Sequence, residues 1–355
     1  SQAPRQKGTL HMSMRINRAG RVISAVMRKE AYKQGVPVHA MFELTPRCGF
    51  GCRMCYVHLA PERIQNVGRG RELTAREWLN LGRQAGENGV FSLCITGGDP
   101  IMHPDFPAIW RGLAQMGFRL ILQTNAAFLT EEHLELFAAY PPDTVKITIY
   151  GASDATYERL CRVPNGFTRA MAGTYALRAL DLPIQMVTTF VKQNWADRDR
   201  IAELMTREQL PWYYSTACYA SLRGAQNEAA SCALSESDIA CVRKPEADQP
   251  TQTAHNSDRL PAEYCRGYRT EFMISWDGYM RFCSFLDEPH ISVLDAPLMQ
   301  CWEELLDFWS SLRWPKACES CEAAERCRRC LGMLACSSGG LGKVSPDFCR
   351  QFQKK

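Results

Sequence analysis

Three cysteines crowd into one short stretch, Cys48, Cys52 and Cys55, and Tyr56 follows directly. The stretch reads Glu43-Leu44-Thr45-Pro46-Arg47-Cys48-Gly49-Phe50-Gly51-Cys52-Arg53-Met54-Cys55-Tyr56. A closed zinc site or iron–sulfur cube takes four protein ligands, and this loop offers three. A four-iron cluster held this way leaves one iron free to bind something else. An open metal position goes with chemistry rather than architecture. The alternative is zinc completed by a distant cysteine or by His58, but zinc ligands usually come as spaced pairs, with the second pair farther along the chain.

Further polar groups follow apolar runs. Gly97-Gly98-Asp99-Pro100 closes one of them. Its glycines permit close backbone approach to a ligand, and its carboxylate suits a cationic amino group. Gln123-Thr124-Asn125 ends another run, where helix capping is an equal alternative. Thr148 ends a third, and Arg162 lies fourteen residues on; an arginine there suits a bidentate carboxylate contact. Cysteines gather again near the C-terminus, at Cys265, Cys283, Cys318, Cys321, Cys327, Cys330, Cys336 and Cys349. Cys318/Cys321 with Cys327/Cys330 could alternatively form a zinc ribbon. Of the remaining six cysteines, Cys94 within an apolar run reads as a small buried hydrophobe. Cys218 is the one placed to matter.

The elements that must hold these groups alternate in type. Strands are expected at Val38–Leu44, Phe91–Thr96, Arg119–Thr124, Thr144–Ile149, Ile184–Val191 and Trp212–Thr216. Helices are expected near 74–88, 104–116, 130–139, 154–180 and 197–209. Six strands alternating with helices imply a parallel sheet, and near-continuous apolar strands imply burial on both faces. The polar groups fall at strand C-terminal ends, as in barrels. A full eight-unit barrel needs about 250 residues, so a partial (β/α)6 TIM-like barrel over 38–220 is expected. A weakly amphipathic, basic helical extension over 13–37 precedes it, and residues 1–12 read as a vector-derived remnant. A helix and connector over 221–262 lead to a cysteine-rich domain over 263–355. One hairpin is expected there, Glu271–Trp276 and Tyr279–Cys283 around Asp277-Gly278.

Composition sets the outer bounds. The 355 residues are 46% hydrophobic and 23% charged, with net charge +4. That describes an ordinary globular protein with a core and gives no basic stripe for nucleic acid. No apolar run reaches the ~20 residues of a membrane helix, and no secretory signal is visible. Seventeen cysteines at short spacings, in a long chain without a signal, fit metal ligation in a reducing cytoplasm better than disulfides.

The Cys-x3-Cys-x2-Cys-aromatic loop after an apolar strand resembles the radical S-adenosylmethionine (radical SAM) enzymes. The resemblance implies a [4Fe-4S] cluster on Cys48, Cys52 and Cys55, whose free iron chelates the amino and carboxylate groups of S-adenosylmethionine, with Tyr56 beside it. Gly97, Gly98 and Asp99 match the family's Gly-Gly-Glu motif, which contacts the methionyl amino group; Asp for Glu shortens the reach by one methylene. Thr124 and Asn125 fall beside cofactor or substrate. Thr148 and Arg162 match positions that contact ribose and carboxylate, and Asn194 lies just past the fifth strand.

The C-terminal pattern resembles the SPASM domain of radical SAM maturases, with its seven cysteines. Twelve residues separate Cys265 from Gly278, and four more separate Gly278 from Cys283. Then come Cys318-x2-Cys321-x5-Cys327-x2-Cys330 and Cys349, where the family's last gap is x3. The resemblance implies two auxiliary [4Fe-4S] clusters, three in all. Cys265, Cys283 and Cys330 would hold the first, and Cys318, Cys321, Cys327 and Cys349 the second. Seven ligands for eight positions leave either Cys336 or another cysteine to complete the first, or an iron open to substrate.

Such an enzyme cleaves S-adenosylmethionine reductively, and the resulting 5′-deoxyadenosyl radical abstracts a substrate hydrogen. The expected substrate is a ribosomally made peptide, oxidised to a thioether or carbon–carbon crosslink or a related side-chain product. A flavodoxin or ferredoxin would supply the electron. The residues before 38 are too few for the recognition domain many such enzymes carry, so a separate leader-binding protein is a candidate partner. The alternatives are a formylglycine-type sulfatase maturase, a small-molecule dehydrogenase and a non-catalytic zinc protein. No nucleic-acid or membrane partner is expected, and the location implied is cytoplasmic.

Overall fold

The computed structural model describes residues 26–242, 260–265, 267–323, 327 and 330–350. The remnant at 1–12, the first half of the expected extension and most of the connector lie outside the described residues. A helix covers 26–34.

Six strands follow in the expected order: β1 (His39–Glu43), β2 (Ser92–Thr96), β3 (Arg119–Thr124), β4 (Thr144–Thr148), β5 (Ile184–Thr189) and β6 (Trp212–Ser215). Each pairs in parallel with the next. The principal helices between them are α1 (Ala75–Glu87), α2 (Phe106–Gln115), α3 (Glu131–Ala139), α4 (Asp154–Cys161), α5 (Gly166–Ala179) and α6 (Arg198–Arg207). The sequence shows why they begin where they do. Thr74 accepts from the Glu77 amide while Glu77 reaches back to the Thr74 amide, a reciprocal cap. Thr130 and His133 repeat this for α3. The helices lay Trp78, Trp110 and Phe137 into one core with Phe42 and Ile95.

One expected helix is two. The stretch 154–180 breaks after Cys161, where Arg162 and Asn165 both take left-handed backbone, each with φ of 56°. Pro164 disfavours helical geometry at Val163, and α5 restarts at Gly166. The break leaves the last carbonyls of α4 without partners inside the helix. Those carbonyls become anchors for the cysteine loop.

The sheet is longer than six strands. β7 (Glu271–Ile274) pairs in parallel with the free side of β1, His39 opposite Glu271 and Phe42 opposite Ile274. β8 (Tyr279–Arg281) and β9 (Ile291–Ser292) continue antiparallel. The expected hairpin is present, with shorter strands than expected and Gly278 at φ 80° in its turn. The nine-stranded order is β6-β5-β4-β3-β2-β1-β7-β8-β9, an open sheet. Helix α7 (Leu298–Ser311) closes over this end, burying Leu298, Cys301, Trp302, Leu305 and Trp309 along one face. Trp309 stacks on Phe282 at 3.9 Å and 4°, and the Trp302 ring nitrogen donates to the Gly35 carbonyl at 2.8 Å. Helix α8 (Leu331–Ser338) lies farther along the chain. No helix among the described residues is long and apolar enough to cross a membrane.

Because β7 covers β1, removing residues 261–355 exposes a central parallel edge. The truncated chain is expected to aggregate or to bind a hydrophobic dye, checked by size-exclusion chromatography and dye fluorescence; a monomeric, dye-negative product would contradict the shared core.

Candidate metal centre

The cysteine loop leaves the C-terminal end of β1 and is fixed by backbone hydrogen bonds on two sides. On one side, the Gly98 amide donates to the Thr45 carbonyl at 2.7 Å and the Asp99 amide to the Arg47 carbonyl at 2.8 Å. On the other, the Gly51 amide donates to the Cys161 carbonyl at 2.9 Å and the Arg53 amide to the Leu160 carbonyl at 3.0 Å. The loop thus completes the end of α4. Its entry is held by Glu72, which takes the Arg47 Nε at 2.8 Å and the Thr45 hydroxyl.

The glycines at 97 and 98 let two backbone segments meet. A Cβ at Gly97 would stand 2.5 Å from the Thr45 carbonyl oxygen, and one at Gly98 would stand 2.4 Å from that of Arg47. The close approach is between two backbone segments, and it sets where Cys48 begins.

Asp99 is buried, with both carboxylate oxygens at 2.9 Å from the Thr124 hydroxyl and one at 3.0 Å from the Asn125 amide. Burial pushes its carboxyl up to about 6, against the pull of these donors. A cation arriving here would favour the charged form. Asn125 links Asp99 to the loop: its Nδ2 lies 3.6 Å from Cys48 Sγ, while its Oδ1 accepts from the Ala127 amide at 2.9 Å. Thr124 and Asn125 therefore position the acid and a thiol, and neither acts as a helix cap. Thr148 is half-buried at the end of β4.

Arg162 caps the C-terminal end of α4. It is half-exposed and ion-paired to Glu228, which also takes Arg53 at 3.0 Å. A carboxylate ligand there must share or displace Glu228. Asn194 is buried and spends its amide on the β5 turn, accepting from the Val191 amide at 2.8 Å and donating to the Thr189 carbonyl at 3.0 Å. It is a turn residue.

The three loop thiols influence one another electrostatically, and burial raises all of them. Cys55 is pushed up to about 11. Cys52 is raised first by a hydrogen bond with Cys161 and then by burial. Thiols held protonated in this way release protons when metal binds. Tyr56 is pushed up to about 12 by burial and packs its ring against Tyr219 and Phe285. Tyr150 and Cys161 also contact Cys52; no motif in the sequence marks them.

The C-terminal thiols fall into two sets. Cys265, Cys283 and Cys330 lie within electrostatic reach of one another, and Cys349 lies within reach of Cys321. Cys318 and Cys327 pack against the main core. Cys336 points its Sγ at the Ala220 carbonyl, 3.6 Å away. Cys218 lies near Cys232, both beside the first loop. Cys94 is buried within β2. Among the described residues, no three His, Cys, Asp or Glu side chains are drawn together tightly enough to hold a single ion. Two sets of cysteines, Cys48 with Cys52 and Cys55 and Cys265 with Cys283 and Cys330, thus lie within electrostatic reach of one another, and thiolate sulfur is the donor chemistry of iron–sulfur ligation.

Residues 42–205 match the family model described as the radical SAM superfamily. The match covers just under half of the chain, from β1 to α6. Among curated proteins, it is 32% identical over 163 residues to the AdoMet-dependent heme synthase of Methanosarcina barkeri, covering 46% of this chain and 45% of that protein. It is 28% identical over 168 residues to the PqqA peptide cyclase of Ruegeria pomeroyi, covering 47% and 44%. The match thus spans less than half the length of these relatives. Among solved structures, Streptococcus suis SuiB bound to S-adenosylmethionine superposes with a TM-score of 0.66 at 14% identity, covering 96% of this chain and 88% of that one. The enzyme anSMEcpe with bound AdoMet gives 0.64 at 12%, covering 89% and 95%. These two share the fold, including its open sheet.

The backbone contact at Gly98 generates a test. Gly98→Ala should lower thermal stability by about 1–3 kcal/mol and reduce iron retained after anaerobic reconstitution, read by differential scanning calorimetry and iron assay. Unchanged values in both would show that the two segments do not meet as described.

Proposed function

We propose that this chain is a radical SAM enzyme of the SPASM type that oxidatively modifies a peptide. The observation that carries the proposal is the joining of two thiol sets through one sheet. β1 delivers Cys48, Cys52 and Cys55, and β7 and β8, paired alongside, deliver Cys283 beside Cys265 and Cys330. The likeness to PqqA peptide cyclases over the barrel and the fold shared with SuiB support a peptide substrate, as does a further solved structure described as SuiB bound to precursor peptide SuiA.

In this reading Cys48, Cys52 and Cys55 hold a [4Fe-4S] cluster, and the C-terminal cysteines hold two more. Bound together, cluster and S-adenosylmethionine supply a 5′-deoxyadenosyl radical that abstracts hydrogen. Asp99, held by Thr124 and Asn125, offers its carboxylate to the methionyl ammonium. Tyr56, with Tyr219 and Phe285, walls the site with rings that exclude water. Thr148 lies at the ribose side. Cys336 faces away toward Ala220, which favours leaving the fourth position of the nearer C-terminal cluster to substrate or another ligand. A flavodoxin or ferredoxin supplies the electron, and a separate leader-binding protein is a candidate partner. The match to an AdoMet-dependent heme synthase keeps one second reading, a small-molecule substrate.

Anaerobic reconstitution should give about twelve irons per chain and cleavage of S-adenosylmethionine on reduction. Replacing Cys48, Cys52 and Cys55 together by alanine should abolish cleavage and remove about four irons, leaving the rest. Zinc alone, with no cleavage, would overturn the enzyme reading. For the substrate, the reduced protein is incubated with short peptides encoded beside its gene. Mass spectrometry should show loss of two hydrogens per crosslink; an unmodified peptide, with turnover of a haem precursor instead, would favour the second reading.

A further inference from the structure

Glu43 and Arg223 form a buried ion pair that no sequence motif announces. Arg223 Nε and Nη2 each lie 3.0 Å from a different oxygen of Glu43. Both side chains are almost wholly out of water, 3% and 0% exposed. Arg223 also holds left-handed backbone, φ 50°, a strained geometry for a bulky residue.

The pair stands between the two thiol sets. Glu43 ends β1, five residues before Cys48, and its charge reaches Cys55. The arginine joins both sides. Its neighbour Leu222 donates from its amide to the Tyr56 carbonyl at 2.9 Å, next to Cys55. Its guanidinium lies 3.4 Å from the Ser284 carbonyl, next to Cys283. Its charge also reaches Tyr56 and Cys336. The other charges facing the pair are Arg281, Asp277 and Asp287.

Stability alone does not account for this arrangement. Two charges taken out of water lose hydration that their attraction only partly returns, and an apolar pair of the same volume is often as stable or more so. A charge pair provides what an apolar pair cannot, a fixed field at both ends. Net charge near an iron–sulfur cluster is one determinant of its reduction potential.

We propose that the Glu43–Arg223 pair is an electrostatic bridge that sets the reduction potentials of the first centre and of its nearer C-terminal neighbour together. The inference rests on the iron–sulfur reading above. Glu43 cancels the arginine's charge, so neither centre sits beside a bare cation. Both residues are positioning residues, since neither touches a reacting atom.

The test uses full-length, reconstituted protein and redox titration followed by electron paramagnetic resonance. Glu43→Gln unmasks the guanidinium, and both centres should shift to more positive midpoints, because reduction adds negative charge. Arg223→Met should shift them in the opposite direction. The double variant E43Q/R223M should return close to the wild-type values. A purely structural pair predicts losses of iron and thermal stability with no opposed potential shifts. Shifts of equal sign in the two single variants, or none with iron intact, overturn the inference. If E43Q loses its iron, Arg223→Lys, which keeps the charge, must hold iron at wild-type potentials; otherwise the pair is structural and the inference falls. Wild-type protein that takes up no iron would instead overturn the iron–sulfur reading.

Discussion

The arrangement depends on β1 being paired along both edges. A strand hydrogen-bonded on both sides cannot shift register without breaking two ladders, so the point at which the chain leaves β1 is fixed. That point is Glu43, and the cysteine loop begins five residues beyond it. Local bonds then carry the constraint forward. Gly98 and Asp99 grip the loop from the end of β2, and the last carbonyls of α4 grip it from the other side. The thiols are held by backbone before any metal arrives.

The parallel sheet was legible because its strands are nearly continuous apolar runs, and all six begin within one residue of their expected starts. The helices were legible from apolar spacing and reciprocal caps such as Thr74 with Glu77. The break at Val163-Pro164-Asn165-Gly166 was also visible in principle, since proline restricts the residue before it. The apolar residues on either side hid it, because they continue one helical pattern. The parallel pairing of β7 with β1 was not legible: it joins residues far apart in sequence, and a hairpin signal at Asp277-Gly278 reports only the local antiparallel turn.

The site divides in the same way. Clustered cysteines declare themselves by spacing. Asp99, Thr124 and Asn125 were found by their places at strand ends, yet their bonding to one another could not be read. Gly97 and Gly98 signal a close approach, but that the backbone of Thr45 and Arg47 comes so near them could not be read. Glu43 had one signal, an acid ending an apolar strand. Arg223 had none, being one cation in a polar stretch. Cys161 meets Cys52 from the end of α4, and Tyr150 meets it from the turn after β4.

The placement of β7 has a consequence for biosynthesis. The ladder that seals β1 requires residues about 230 positions later in the chain. At a synthesis rate of roughly 5–20 residues per second, the strand bearing the cysteine loop waits on the order of ten to fifty seconds with one edge open. Through that interval its thiols and a sheet edge are both accessible. A nascent chain built in this order needs its metal delivered late or its open edge shielded early.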